Sequence, residues 1–279
     1  MSQTAVSSLT NDGLIVPVKA ATVYAAHENS LFLSGNLIPV VNAPNGVLQV
    51  PEVGAVTAET IDAAGDTPAA DLSILTPGNT KNTINCALFG ARSVVRDLGN
   101  IDPQEIGRSL GNAVAKAADL DAIKTMANNT TEQEISSGNL DLDEIFKAVG
   151  TIRANGEMGQ LYGVVAASEY GNLMSSIGST AYAGGDFQTE ALRSGFVGSI
   201  AGVQMFVSSY LTDANVSLSS HNVKAIIFGQ DAYRIAMQAN VNVEVGRRPA
   251  AVGFDCVASL HMKTGAIDAN RSVMIKDES

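Results

Sequence analysis

The chain of 279 residues (28.8 kDa) is 46% hydrophobic and only 16% charged, a composition that excludes an intrinsically disordered protein. Its formal net charge of −11 argues against a protein whose main task is to bind phosphate groups. Its two cysteines, Cys86 and Cys256, are too few for a disulfide scaffold and are typical of a chain that folds in a reducing cytosol.

The N-terminal residues, MSQTAVSSLTND, contain neither the basic region nor the apolar region of a secretory signal. No apolar run approaches the roughly 18 residues that a membrane-spanning helix needs. The sequence therefore predicts neither a secretory leader nor a membrane segment.

Prolines and acidic residues set the N-terminal third of the chain apart. Six of the eight prolines lie within the first 77 residues, a density that disfavours long helices. Between Ala20 and Thr80 there is no Lys or Arg, whereas six residues are acidic: Glu28, Glu52, Glu59, Asp62, Asp66 and Asp71. We therefore predict an extended acidic region that begins with an arm lacking a helix.

A long hairpin is predicted within this acidic region. Residues 46–61 and 71–84 have the composition of two interrupted strands, and the polar segment DAAGDTPAA between them favours a turn. The motif GNTKNT (78–83) is predicted to be a turn that exposes Lys81. Because a single hairpin is only marginally stable in water, we expect it to lie on another surface.

The clearest element is a helix over residues 102–129. Asp102 is a favourable N-cap, and Pro103 suits the first helical position. Apolar residues recur at three- and four-residue spacing: Ile106, Leu110, Ala113, Val114, Ala117, Leu120, Ile123 and Ala127. The opposite face is predicted to carry the charged residues Arg108, Lys116, Asp119 and Lys124.

The remainder of the chain mixes helices and strands. Helices are predicted at 140–156 (closed by Gly156), 168–177 and 230–238, and a loop at 180–190. Strands are predicted at 161–167, in GVQMFVSS and at 224–229, and three more in the C-terminal tail, in VNVEVG, FDCVASLHMKT and RSVMIKD. This order indicates an α+β fold with a partly antiparallel sheet.

The glycines of GFVGSIAGVQMFVSS (195–209) are one candidate for a phosphate-binding loop. Their spacing is G-x-x-G-x-x-x-G, and the residues that follow have the pattern of a strand. Because no helix N-terminus stands behind these glycines to hold an anion, we predict that they only shape the backbone.

The polar candidates also favour structural roles. The carboxylates of DLDE (141–144) lie where a helix begins and are predicted to cap it, and the pair Arg247 and Arg248 is expected to meet carboxylates across a contact. The histidines are scattered and lack the spacing of metal ligands: His27, His221 and His261. The sequence therefore predicts no catalytic residues, no cofactor and no metal site, and we do not expect an enzyme.

The order of the parts is more informative than any motif. An extended arm, an acidic hairpin, a long amphipathic helix, an α/β segment and closing strands resemble the major capsid proteins of tailed bacteriophages, those with the Hong Kong 97 fold. The resemblance covers nearly the whole chain. It implies a structural protein of the virion that assembles in the host cytoplasm into hexamers and pentamers of an icosahedral shell around DNA.

The resemblance also implies a division of the chain. It identifies residues 1–40 as an N-terminal arm, 41–90 as an extended loop, 91–145 as a peripheral domain with its spine helix, 146–235 as an axial domain, and 236–279 as strands that return to the peripheral domain. It further implies a separate scaffold protein or none, and possible portal and decoration partners. Some relatives crosslink a loop lysine to a neighbour, but Lys81 lies at the base of the hairpin, so we do not transfer that chemistry.

We expect the acidic hairpin to face basic residues of an adjacent copy. The candidate subunit-interface residues are Glu52, Glu59, Asp62, Asp66, Arg92, Arg96 and Arg108. The nearest alternative is an encapsulin-like nanocompartment shell, which has the same fold but tends to begin with a helix. From another class, a soluble α+β enzyme would need a pocket of convergent polar groups.

Overall fold

The computed structural model describes residues 11–53, 79–96, 102–128, 130–135, 138–179, 199–216 and 223–277. The helices are α1 (Asn11–Asn29), α2 (Pro103–Asn128), α3 (Leu142–Ala154), α4 (Tyr170–Ser179) and the single-turn α5 (Asp213–Val216), with short 3-10 helices at Pro249–Ala251 and Ala269–Arg271. The strands are β1 (Val40–Asn42), β2 (Val47–Val53), β3 (Asn79–Asn85), β4 (Ala87–Arg96), β5 (Thr131–Ile135), β6 (Leu161–Ala166), β7 (Ser199–Ile200), β8 (Val203–Ser208), β9 (Val223–Gly229), β10 (Tyr233–Arg248), β11 (Gly253–Ala266) and β12 (Ser272–Asp277). The predicted α+β class is confirmed.

A four-stranded sheet in the order β1-β10-β11-β4 forms one half of the molecule. Along β11, residues with even numbers from Phe254 to Thr264 are buried and those between them are only partly buried, the period of two expected of a strand with one face on a core. The buried face packs on α2, which begins at the predicted N-cap: the Asp102 carboxylate accepts a hydrogen bond from the Gln104 amide at 2.9 Å.

Helix α1 corrects the prediction of an arm without a helix. It runs for 19 residues despite Pro17, which removes one backbone donor from its interior. It packs against α2 at two glycines: a β-carbon on Gly107 would lie 2.6 Å from the Val18 carbonyl oxygen, and one on Gly111 would lie 2.5 Å from that of Thr22. The close approach buries Val18, Thr22, Ala25 and Ala26 on one face of α1, so tertiary packing supports a helix that local sequence does not favour.

A six-stranded sheet in the order β5-β12-β9-β6-β8-β7 forms the other half. Its pairings are mixed, since β6 runs parallel to β8 and antiparallel to β9. Helices α3 and α4 contribute to the core on this sheet, and α3 ends near Gly156, whose φ of +89° suits the predicted closing glycine.

Tyr233 of β10 connects the two halves. Its ring packs edge-on against Phe228 of β9 with centroids 5.8 Å apart, and its hydroxyl lies 2.7 Å from that of Ser272 in β12. Burial raises the pKa of the Tyr233 phenol to about 12, so it acts as a neutral hydrogen-bonding group.

Three further predictions are wrong. Residues 230–238, predicted as a helix, include the start of β10, because pairing with β1 and β11 outweighs local helix propensity. Within 78–83, predicted as a turn, the residues from Asn79 onward belong to β3. Asp119, predicted on the exposed face of its helix, is 3% exposed.

Candidate functional site

The ribbon formed by β2 and β3 is the first candidate interaction surface. The two strands pair in antiparallel register from Val47 opposite Asn85 to Val53 opposite Asn79, and they form a sheet with no third strand among the described residues. These strands overlap the two predicted for the hairpin. Val47 and Gln49 are exposed and Leu48 and Val50 only partly buried, so the ribbon does not build its own core.

One end of the ribbon is anchored on the four-stranded sheet. Ile84 is buried against Gly265 of β11, where a β-carbon would lie 2.3 Å from the Ile84 side chain. The Asn82 amide donates a hydrogen bond to the Ile267 carbonyl at 2.9 Å, and the Cys86 amide donates one to Gly46 at 2.8 Å. The base of the ribbon is therefore fixed, and its other end points away from the sheet.

Only one of the predicted acidic residues lies within the described part of the ribbon. Glu52 belongs to β2, whereas Glu59, Asp62 and Asp66 lie outside the described residues. The predicted loop at 180–190 and the glycines Gly195 and Gly198 also lie outside them.

The predicted arginines occupy three different positions. Arg92 of β4 donates hydrogen bonds to both carboxylate oxygens of Asp255 in β11, with Nε 2.8 Å from Oδ1. This hydrogen bond lowers the pKa of the Asp255 carboxyl. Arg96 ends β4 opposite Gly253, and Arg108 is exposed on α2.

The pairing of Arg92 within the chain was not visible in the sequence, because 163 positions separate it from Asp255. The alternating pattern of FDCVASLHMKT was the available signal, since it places Asp255 on the partly exposed face of its strand. Arg92 is thus already neutralised in the single chain.

Arg247 and Arg248, the pair expected to meet carboxylates across a contact, end β10, and both are exposed. The Arg247 guanidinium lies 5.2 Å from the centre of the Phe254 ring, and Arg248 is opposite Gly253 in the register. The dipeptide RR followed by proline was the signal for a strand end carrying two positive charges.

Asp119 holds the segment after α1 onto α2. Its carboxylate accepts hydrogen bonds from the Ser30 hydroxyl at 2.6 Å and from the backbone amides of Leu31 and Phe32 at 3.1 and 3.4 Å. Burial raises the pKa of the Asp119 carboxyl, although these hydrogen bonds favour the ionised form. Asp121, two residues on, ties α2 to β11 through Lys263 and the Thr264 amide.

A buried ion pair joins α4 to the six-stranded sheet. The Lys224 Nζ lies 2.7 Å from the Glu169 Oε1, and each side chain is 8% exposed. Burial alone would raise the pKa of the Glu169 carboxyl, but hydrogen bonds from Lys224, Asn172 and the Leu140 amide outweigh it and lower the pKa. Both charges therefore have a structural role in the core.

The remaining candidates are structural where they are described. Gly202 has a φ of +78° in the turn between β7 and β8, as a backbone-shaping glycine should. Asp141 occupies the N-cap position of α3 without a capping hydrogen bond from its side chain, so the predicted capping is not made. The two cysteines are free, and burial raises the pKa of both thiols.

The residues that the structure describes contain no group of three His, Cys, Asp or Glu residues arranged to hold a metal ion. None of the helices described is both long and apolar enough to cross a membrane.

No family model matches this chain, and no curated protein does either. Its structure is similar to the capsid of the cyanophage P-SCSP1u, with 16% sequence identity, 88% of each chain covered and a TM-score of 0.68. It is also similar to the mature capsid of bacteriophage PhiM1, with 14% identity, 89% of this chain and 87% of the other covered, and a TM-score of 0.65. A virus-like particle from Pyrococcus furiosus matches with 12% identity, coverage of 92% and 97%, and a TM-score of 0.63. The chain therefore has the fold that these capsids and this particle share.

Proposed function

We propose that this chain is the major capsid protein of a tailed phage, self-assembling into hexamers and pentamers of an icosahedral shell that contains DNA. The observation that carries the proposal is the match to phage capsid folds over 88% of the chain. The exposed β2–β3 ribbon supports it independently, because a two-stranded ribbon gains stability when it lies on a neighbouring subunit.

The proposed division into domains follows the two sheets. Helix α2 and the four-stranded sheet belong to the peripheral domain in this proposal, and the six-stranded sheet with α3 and α4 belongs to the axial domain. We place β12 with the axial domain, although it falls in the range 236–279, because it pairs with β9 there. Residues 1–40 and 41–90 remain the proposed arm and extended loop, although the arm contains α1.

The N-terminal part of the chain does not distinguish a phage shell from an encapsulin-like shell. An extended arm was expected to favour the phage shell, but Asn11–Asn29 is helical. The proposal depends on the phage capsids that the fold matches. A separate scaffold, a portal and decoration proteins are its proposed partners, with assembly in the host cytoplasm and no sequence-specific contact to the enclosed DNA.

Negative-stain electron microscopy of the purified chain, with light scattering for mass, tests this function. We expect closed icosahedral particles or rings of five and six subunits, and nucleic acid inside particles made in the host. A compact monomer that never assembles, even with a scaffold protein supplied, would remove the capsid function. Particles filled with a cargo enzyme in place of DNA would identify a nanocompartment.

We also propose that Glu52, Glu59, Asp62 and Asp66 pair with arginines of an adjacent copy, for which Arg92, Arg96 and Arg108 are the predicted candidates. Single exposed pairs contribute only about 0–1 kcal/mol each, but their repetition around a shell sets register and association rate. Reversing the charges at Asp62 and Asp66 should impair assembly and leave the circular dichroism spectrum of the subunit unchanged. Normal shells from this variant would contradict the pairing.

A further inference from the structure

The turn that leads into the ribbon contains an asparagine followed by a glycine, Asn45 and Gly46. The Gly46 amide donates a hydrogen bond to the Ala43 carbonyl at 2.8 Å, which closes a four-residue turn with Pro44 and Asn45 at its centre. Gly46 has a φ of +72°, and a β-carbon on it would lie 3.0 Å from the Gln238 Oε1. The conformation of the turn therefore favours glycine at position 46.

An asparagine followed by glycine can react with its own backbone, because glycine has no side chain to hinder the approach. The glycine nitrogen attacks the asparagine Cγ, the Cγ–Nδ2 bond breaks, the proton of the glycine amide passes through water to Nδ2, and ammonia leaves. Water then opens the resulting succinimide ring at either carbonyl, which gives aspartate or isoaspartate. The overall reaction consumes one water molecule for each ammonia released, involves no oxidation or reduction, and converts a neutral side chain into a carboxylate.

The chain contains two Asn-Gly pairs, and the structure restrains the second of them. At the end of α3, the Asn155 Nδ2 donates a hydrogen bond to the Asn270 carbonyl at 2.8 Å. The Gly156 amide donates one to the Arg153 carbonyl at 3.0 Å. Cyclisation at Asn155 would have to break both hydrogen bonds and distort the end of the helix, so we expect this pair to be protected in the folded chain.

The side chain of Asn45 has no comparable restraint. It is exposed and forms no hydrogen bond with the residues that the structure describes. Its Cγ can therefore rotate towards the Gly46 nitrogen without losing a contact. The hydrogen bond from the Gly46 amide opposes the reaction, but the Gly156 amide is bonded in the same way. The difference between the two pairs therefore lies in the asparagine side chain.

We propose that Asn45 is a site of spontaneous deamidation, and that isoaspartate formed there disables the ribbon without unfolding the subunit. In isoaspartate the main chain runs through the side-chain carbons, so one more carbon atom separates residue 45 from Gly46. The turn can then no longer keep the hydrogen bonds of Gly46 to Ala43 and to the Cys86 amide, both 2.8 Å long. The two large cores contain neither Asn45 nor Gly46, so they keep their packing.

The modification changes the direction in which β2 leaves the turn, at the fixed base of the ribbon. Its consequence rests on the proposed self-assembly, in which the ribbon lies on a neighbouring copy. A subunit that reacts before it assembles should fail to join a shell, because its ribbon no longer matches the surface of the neighbour. Deamidation at Asn45 thus limits the time for which a free subunit remains competent to assemble.

Peptide mapping by mass spectrometry tests the reaction itself, whether or not the chain assembles. The unassembled chain, kept at physiological temperature and neutral pH, should gain about one dalton at Asn45 at a rate within threefold of that in guanidinium chloride. At Asn155 the folded chain should react at least tenfold more slowly than the chain in guanidinium chloride. Equal protection of the two sites in the folded chain, or faster reaction at Asn155, would overturn the assignment.

Two variants separate the backbone change from the added charge. Asn45→Gln needs a six-membered ring to cyclise, so after the same incubation it should keep its assembled fraction, while the unmodified chain loses its own in proportion to isoaspartate. Freshly prepared Asn45→Asp has the charge with a normal backbone and should assemble like the fresh unmodified chain; poor assembly would contradict the backbone explanation.

The outcomes distinguish this proposal from the capsid function. Normal assembly of an aged chain rich in isoaspartate would refute the effect on the ribbon. If no fresh chain assembles, even with a scaffold protein supplied, the capsid function is refuted, and the mass measurement still decides whether Asn45 deamidates.

Discussion

Glu169 and Lys224 illustrate how single residues stabilise this chain through charges placed inside it. Their ion pair lies between α4 and the six-stranded sheet, and Asn172 donates a further hydrogen bond to the carboxylate at 2.9 Å. Leaving one member of a buried pair alone costs far more than removing both, because the remaining charge stays out of water without a partner.

The variants Glu169→Gln and Glu169→Gln/Lys224→Met separate these two effects. The single change should lower the free energy of unfolding by about 3–5 kcal/mol, and the double change by much less. Urea unfolding of the unassembled chain, followed by circular dichroism, measures both values. Equal losses in the two variants would show that Lys224 is not stabilised by this carboxylate.

Asp119 gives the chain a pH-dependent contribution to stability. Because burial raises its pKa in the folded chain above the ordinary value of 3.8, the folded state binds this proton more tightly than the unfolded state does. The contribution is therefore fully present below pH 3.8 and is lost as the pH rises through the folded pKa.

Asp119→Asn provides the reference for this effect, because the asparagine side chain does not titrate. The free energy of unfolding of the unmodified chain, minus that of Asp119→Asn, should increase when the pH is lowered from 7 to about 4. Comparing the two proteins at each pH cancels the titration of groups that they share. A difference that falls on acidification would mean that the hydrogen bonds from Ser30, Leu31 and Phe32 dominate the pKa.

At the scale of elements, the helices and strands that were predicted correctly are those marked by residues within the element itself or next to it in the sequence. Helix α2 has a cap, a first-turn proline and a regular apolar spacing, and it begins and ends within one residue of the prediction. Helix α1 was missed because Pro17 opposes it and its apolar residues form no clear stripe; its stability comes from contact with Gly107 and Gly111, far along the chain. The start of β10 was missed for the same reason, since its partners are β1 and β11.

We predict that replacing a helical glycine with alanine has opposite effects on stability at Gly107, where α2 contacts α1, and at Gly150 in α3, where no such contact exists. Gly107→Ala should destabilise the chain by about 1–3 kcal/mol, because its β-carbon would meet the Val18 carbonyl at 2.6 Å. Gly150→Ala in α3 has no atom within 4 Å and should stabilise the chain by up to about 1 kcal/mol. Thermal unfolding of both variants measures the effect, and a neutral result at Gly107 would show that the two helices can move apart at no cost.

At the scale of the whole molecule, the sequence indicated a group of charges only where they follow one another along the chain. It indicated the acidic segment 52–71, because its five carboxylates lie in a run without Lys or Arg. It did not indicate that Arg96 of β4 and Arg248 of β10 lie at the same end of the four-stranded sheet, because they are brought together only by their pairing with Gly253 of β11. The register between distant strands sets such a neighbourhood, and no local sequence pattern determines that register.

Deleting residues 54–78 tests whether the acidic segment serves assembly or the fold of the subunit. Val53 and Asn79 lie directly opposite each other, so an Asn-Gly pair can join them as a tight hairpin turn. The shortened chain should keep its Tm, because the strand pairing of the ribbon and the contacts of Asn82 and Ile84 at its base are retained, and it should form no closed particles. A full-length variant, E59Q/D62N/D66N/D71N, separates the effect of loop length from that of charge. If this variant forms closed particles and the shortened chain does not, the loop itself is needed for assembly and its charges are not. If both variants form closed particles, the acidic segment has no role in assembly.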